Sequence, residues 1–217
     1  MDTSKLLDEF LLKQEAVDQE FHNENAKIKP LLAEIGYIKN QSIQYFVRSL
    51  LVKAHEFWFA PADNVEGHPT DEYDVGGMVL HTQRVVRTAM LLSEAYGLEE
   101  HEKDLVIAAA ILHDITKALI LRGDEDMFYD PMHPYTVDAF LKSVSSEDKM
   151  FGDESKSSTM YLKEESIAQI MRLIRCHLGL YSPVPETIPI TTTDMVVHLA
   201  DLVATNLETL QYGESSE

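Results

Sequence analysis

Residues 103–117 read KDLVIAAAILHDITK, and this stretch decides how the rest of the chain has to be arranged. From Leu105 to Leu112 no side chain is polar. A helix that is apolar all round must be covered on every side. The segment from Lys103 to about Leu121 therefore reads as a central buried helix rather than an amphipathic surface one. Its apolar run closes on His113-Asp114, two groups that are costly to bury. A carboxylate taken out of water loses several kcal/mol unless it is paired or bound to a metal.

The flanking segments read as the helices that cover this one. Met78 to Tyr96 carries Val85, Ala89 and Leu92 on one stripe, with His81 one turn before Val85, and Gly97 stops it. Tyr161 to His177 places Ile167, Ile170, Met171 and Ile174 on one face. Thr191 to Leu210 opens with Asp194 three residues after Thr191, a capping-box-like start. Toward the N-terminus, Ile43 to Phe59 is helical, and Thr3 to about Lys39 is helical until Pro30 interrupts it. The acidic stretch APADNVEGHPTDEYDVGG, residues 122–160 and the proline-bearing Tyr181 to Ile190 read as loops and mixed structure. No segment alternates as a strand would. The expectation is an all-α fold, divided into an N-terminal helical extension (1–40), a main helical domain (41–212) and a disordered tail (213–217).

The chain has 217 residues, enough for one large domain with a substantial core. Eighteen Lys+Arg against 37 Asp+Glu leave a net charge of −19. That disfavours a sequence-blind nucleic-acid binder, which needs a basic surface to displace counterions. A small phosphorylated substrate held in a local basic pocket stays compatible. The lone Cys176 excludes an intramolecular disulfide framework and a cysteine-rich zinc site. The longest apolar run is far shorter than the roughly 20 residues a bilayer needs. The opening MDTSK has no signal-peptide pattern, so a cytoplasmic location is expected.

The chemistry concentrates on a few polar residues placed on apolar faces. His113-Asp114, taken alone, is a pair that ends a helix. His81 alone is a satisfied core histidine, and Asp201, one turn after Val197 in HLADLVA, is a buried acid with an unnamed partner. His177 prolongs the Ile167, Ile170, Ile174 face to a helix C-terminus, where the dipole favours a cation. His133 lies in a predicted loop. Together, His81, His113, Asp114 and Asp201 bring nitrogen and oxygen donors from three buried-face helices. That donor set suits Mn, Fe, Co, Ni or Zn better than calcium.

Gly76-Gly77-Met78-Val79-Leu80-His81-Thr82, then Ile111-Leu112-His113-Asp114-Ile115-Thr116-Lys117, then Leu199-Ala200-Asp201 resemble the HD-domain metal-dependent phosphohydrolase superfamily. The order H…HD…D is that family's metal-ligand signature. The HDIxK form and CHLG-x-x-SPVP before the last helix are most similar to the HD domains of some 3′–5′ exoribonucleases and related hydrolases. The resemblance covers about residues 56–210. It implies a helical bundle, with His81, His113, Asp114 and Asp201 as metal ligands. It also implies His133 and His177 as the extra pair of a dinuclear site, bridged by Asp114. Lys117 matches the Lys of HD-x-x-K and would meet a substrate phosphate. Two departures stand out: His68-Pro-Thr-Asp-Glu-Tyr-Asp replaces a His-His before the double glycine, and His177-Leu178 replaces a later His-His.

The implied activity is hydrolysis of a phosphate ester or anhydride in a small, nucleotide-like substrate, with Asp114 and Lys117 as the catalytic pair and one or two divalent transition ions as cofactor. Arg84, three residues after His81, is a weaker substrate-binding candidate, because an ion pair with the acidic loop at 71–74 is the favoured explanation of it. Three alternatives stay open: a di-iron HD-type oxygenase, a 3′–5′ exonuclease-like phosphodiesterase and a degenerate HD scaffold. A homodimer formed through the N-terminal helices is compatible with the sequence.

Overall fold

The computed structural model describes residues 28–63, 68–120, 132–147 and 162–206. The helix expected before residue 28, the polar stretch from residue 148, the last helix beyond residue 206 and the tail lie outside the described residues. Among these residues the helices are α1 (Leu32–Ile35), α2 (Gln41–Lys53), α3 (Gly77–Ala95), α4 (Glu100–Leu112), α5 (Lys117–Ile120), α6 (His133–Glu147), α7 (Glu164–Cys176) and α8 (Thr192–Thr205), joined by short 3-10 turns and by no strand. The fold is all-α.

Helix α4 is the axis of the bundle. It packs against α1, α2, α3, α7 and α8. Every residue from Leu105 to Leu112 is buried, as an all-round apolar surface requires. Helix α3 lies against both α4 and α8, and α7 against α4 and α8, so four helices converge at the C-terminal end of α4. Ile28, Leu31, Ile35 and Ile38 are buried in the same core, so this part of the N-terminal region packs with the bundle. No described helix is long and apolar enough to cross a membrane.

Several boundaries differ from the sequence expectation. Helix α2 stops at Lys53 rather than Phe59, and the Leu51 carbonyl accepts from both Ala54 N–H (3.2 Å) and the Trp58 indole (3.1 Å). Helix α4 ends at Leu112 instead of running to about Leu121. The backbone tightens there, with Ile115 N–H donating to Leu112 O (3.1 Å) and Lys117 N–H to Asp114 O (3.0 Å). His133, expected in a loop, is the first residue of α6. Pro134 follows it in the first turn, where its missing N–H has no helical partner to lose. The predicted extended loop from Tyr181 to Ile190 is preceded by a 3-10 turn at Gly179–Tyr181 that ends on its first residue, and contains another at Pro185–Thr187.

The start of α8 matches its sequence signature. Asp194 N–H donates to the Thr191 hydroxyl (3.1 Å), and Asp194 Oδ2 accepts from Thr191 N–H (3.0 Å) and Ile190 N–H (3.2 Å). Arg172 adds a bond of 2.7 Å to the same carboxylate, which is 1% exposed. Burial opposes ionisation of Asp194, but Arg172 and the backbone donors outweigh it and hold its pKa below 3.8. Asp194→Ala is expected to cost about 3 kcal/mol in urea unfolding at pH 7. Because the folded pKa is depressed, this contribution is complete above 3.8 and is lost as pH falls through the folded value. The gap between wild type and variant should therefore narrow on acidification.

Candidate metal centre

Six of the residues singled out in the sequence meet at the C-terminal end of α4. His81 projects from the second turn of α3, His113 is the residue capping α4, and Asp201 comes from the middle of α8. His81 Nε2 lies 3.1 Å from Asp201 Oδ1 and 3.3 Å from His113 Nε2. His113 Nε2 is 3.5 Å from Asp114 Oδ2 and 3.7 Å from Asp201 Oδ1. On the other side of Asp114, Oδ1 is 2.8 Å from His133 Nε2 and 3.7 Å from His177 Nε2, and these two nitrogens are 3.1 Å apart. The Asp114 carboxylate thus stands between two groups of imidazoles, one oxygen toward each.

The tautomers follow from the fixed acceptors. A carbonyl oxygen can only accept, so His113 Nδ1–H donates to Ala110 O (2.8 Å) and His177 Nδ1–H to Ile174 O (2.6 Å). Both carbonyls belong to the last turn of a helix, where acceptors have capacity to spare; Ile174 O also accepts from His177 N–H (3.3 Å). With Nδ1 protonated, each ring presents Nε2 toward Asp114, and loss of any proton there leaves a lone pair for a cation. Asp114 Oδ1 is buried and has no hydrogen-bond partner, despite its closeness to His133. Convergent lone pairs around a buried, unsatisfied carboxylate oxygen are what a bound cation requires, so these residues fit a divalent metal. Two of the groups able to hold a metal are His81, His113, Asp114 and Asp114, His133, His177.

Charge is distributed unevenly over the site. Burial is the largest influence on His81, His113, Asp114, His177 and Asp201. It pushes His177 down to about 3, keeping that imidazole neutral. At His81 burial is outweighed by the carboxylates of Asp201 and Glu72, which raise it to about 9. His81 Nε2 thus faces Asp201 Oδ1 and His113 Nε2, and a cation would compete with protons for the same place. Burial opposes ionisation of Asp114, but Lys117, His113 and His133 hold it well below the usual carboxylate range. Asp201 is lowered in the same way, against burial, chiefly by His81.

A cavity of about 270 Å³ opens over this centre. Lys117 lines it and is 6% exposed, with Nζ 3.5 Å from Asp114 Oδ2 and 3.9 Å from Asp63 Oδ2. Leu178, Tyr181 and Leu202 also line the cavity. Of the predicted site residues, His81 and His113 lie behind the cavity lining on the metal cluster, and Arg84 belongs to neither. Its guanidinium grips Asp71 (2.8 and 2.6 Å) and Glu72 (2.5 Å).

The acidic loop is not the solvated cover that its composition suggests. Glu72 is fully buried, with Oε2 accepting from His68 Nδ1 (2.8 Å) and lying 3.2 Å from His81 Nδ1. Asp63 and His198, which nothing in the sequence singles out, also line the cavity, as does His68, which the sequence marks only as a departure from the family pattern. One signal for the close approach was present in Gly77. A Cβ there would lie 1.9 Å from the Glu72 carbonyl oxygen, so only glycine lets the loop close on α3. Gly77→Ala is expected to lower stability by about 1–3 kcal/mol, read as a fall in melting temperature.

The chain matches the HD domain family over residues 78–206, which contain all six of these residues. It belongs to the HD domain family, whose members hold divalent metal ions. It is 28% identical over 130 residues to the dihydroneopterin 2′,3′-cyclic phosphate phosphodiesterase of Methanocaldococcus jannaschii. That alignment covers 58% of this chain and 45% of the phosphodiesterase. No solved structure gives a significant match.

Proposed function

We propose that this protein is a metal-dependent phosphohydrolase acting on a small phosphate ester, with a nucleotide-sized cyclic or linear phosphodiester as the favoured substrate class. The observation that carries the reading is the Asp114 carboxylate set between two groups of imidazoles at the floor of a cavity that also holds Lys117. His81, His113, Asp114 Oδ2 and Asp201 would hold one ion, and Asp114 Oδ1, His133 and His177 a second. Their mixed nitrogen and oxygen donors favour Mn, Fe, Co, Ni or Zn. A bound divalent ion supplies Lewis acidity toward a phosphoryl oxygen and lowers the pKa of water near neutrality.

The protein's own residues do the remaining work. Lys117 carries its charge into the cavity, where Asp114 and Asp63 keep it protonated against burial. It is placed to bind an anionic phosphate and to offset negative charge that grows as a nucleophile adds. Leu178, Tyr181 and Leu202 offer an apolar lining for the organic part of the substrate. The phosphodiesterase relative favours hydrolysis over the di-iron oxygenase alternative. The net charge of −19 favours a small substrate over a nucleic-acid polymer.

The test is metal analysis of the purified protein, then turnover assays with each of the five metals. The substrates would be 2′,3′-cyclic nucleotides, nucleoside monophosphates and bis(p-nitrophenyl) phosphate. Metal-dependent release of a phosphate monoester or of inorganic phosphate is expected. Absence of cleavage with every metal and substrate would overturn the reading.

A further inference from the structure

The metal-centre imidazoles solve one problem in different ways. An imidazole that gives Nε2 to a metal needs an acceptor for Nδ1–H to fix its ring. His113 and His177 use carbonyls in the last turns of their helices. His81 lies inside α3, which begins at Gly77, so the neighbouring carbonyls are committed to the helix. Its Nδ1 is buried and makes no hydrogen bond in this structure. The acceptor within reach is Glu72 Oε2, at 3.2 Å.

We propose that Glu72 is a positioning residue for the metal centre, holding His81 so that Nε2 faces the site. This role rests on the reading of His81 as a ligand. The fold invests heavily in placing this carboxylate. Gly77, His81 and Arg84, spaced by four and three, share one face of α3. Gly77 admits the Glu72 backbone, Arg84 binds Oε1, and His68 binds Oε2. Arg84 and Gly77 thereby act on the site through Glu72 without touching the cavity. His68, Glu72 and His81 are themselves close enough to hold an ion. The Arg84 guanidinium, 2.5 Å from the same carboxylate, supplies the positive charge there instead.

The test uses cobalt(II) as probe, with affinity and stoichiometry from titration and ligand geometry from the visible absorption spectrum. Four proteins are compared: wild type, Glu72→Gln, Glu72→Ala and His81→Gln, with folding checked by circular dichroism. Glu72→Ala should weaken cobalt binding by about 10–100-fold and perturb the spectrum. Glu72→Gln, which keeps an acceptor oxygen, should restore part of that loss. Should the Ala variant fail to fold, the isosteric Gln variant decides by its own shift from wild type. If His81→Gln weakens binding while Glu72→Gln and Glu72→Ala bind as wild type does, the positioning role is overturned and the ligand assignment survives. If His81→Gln also binds as wild type does, the ligand assignment itself is lost. A clean loss of one ion from the Glu72 variants, with the others bound as before, would make Glu72 a ligand and overturn the proposal.

Discussion

Asp114→Ala is expected to abolish metal uptake and to reduce phosphate-ester cleavage by at least about a thousandfold. That factor corresponds to about 4 kcal/mol of transition-state stabilisation, the scale of Lewis-acid assistance at a phosphoryl group. Asp114 is the residue whose two oxygens face both imidazole groups, so no neighbour can stand in for it. The substitution also leaves Lys117, 6% exposed, beside a lost counter-charge. Apo-protein stability should fall too, because an uncompensated buried charge is costly. Asp114→Asn preserves the shape and separates the two effects: it should fold better than the Ala variant yet remain inactive. Turnover within tenfold of wild type in either variant would contradict the proposed mechanism.

The second large effect is expected at His177. Its imidazole is kept neutral by burial and is oriented by the Ile174 carbonyl, with Nε2 beside His133 Nε2 and Asp114 Oδ1. Gln has no ring that this carbonyl can lock in place. His177→Gln should therefore lower the metal content from about two ions toward one, with turnover falling about 10–100-fold or more. Melting temperature should move much less than turnover. A wild-type content of one ion, unchanged in the variant, would make the centre mononuclear. The di-iron oxygenase alternative would fall with it, and simple phosphohydrolysis would remain.

The parts of this arrangement that were legible in the sequence share one property: each is a polar residue on a face that periodicity marks as buried. His81 on the Val85, Ala89 stripe, His113-Asp114 after eight apolar residues, and Asp201 in HLADLVA all stand out for that reason. His133 was misplaced because His-Pro reads equally well as a turn and as a first helical turn. Glu72 escaped for a different reason. A carboxylate among Asp71, Tyr73 and Asp74 looks solvated, and its burial depends on Arg84 folding back over the loop. The spacing of Gly77, His81 and Arg84 was visible, but what they clasp is a tertiary fact. The early end of α4 was likewise hidden, since Ile115, Ala118 and Leu119 prolong the apolar pattern past the break.

His81 and Asp201 lie 120 residues apart in sequence and 3.1 Å apart in space. Any cation they share ties the start of α3 to the middle of α8, and the unfolded chain has no comparable site to offer. By mass action, such a cation at a hundred times its dissociation constant would add about 2.7 kcal/mol to the free energy of unfolding. The folded population would then follow the supply of free metal. Scarcity would remove activity and shorten the lifetime of the protein at the same time, and a chelator would expose the chain to proteolysis.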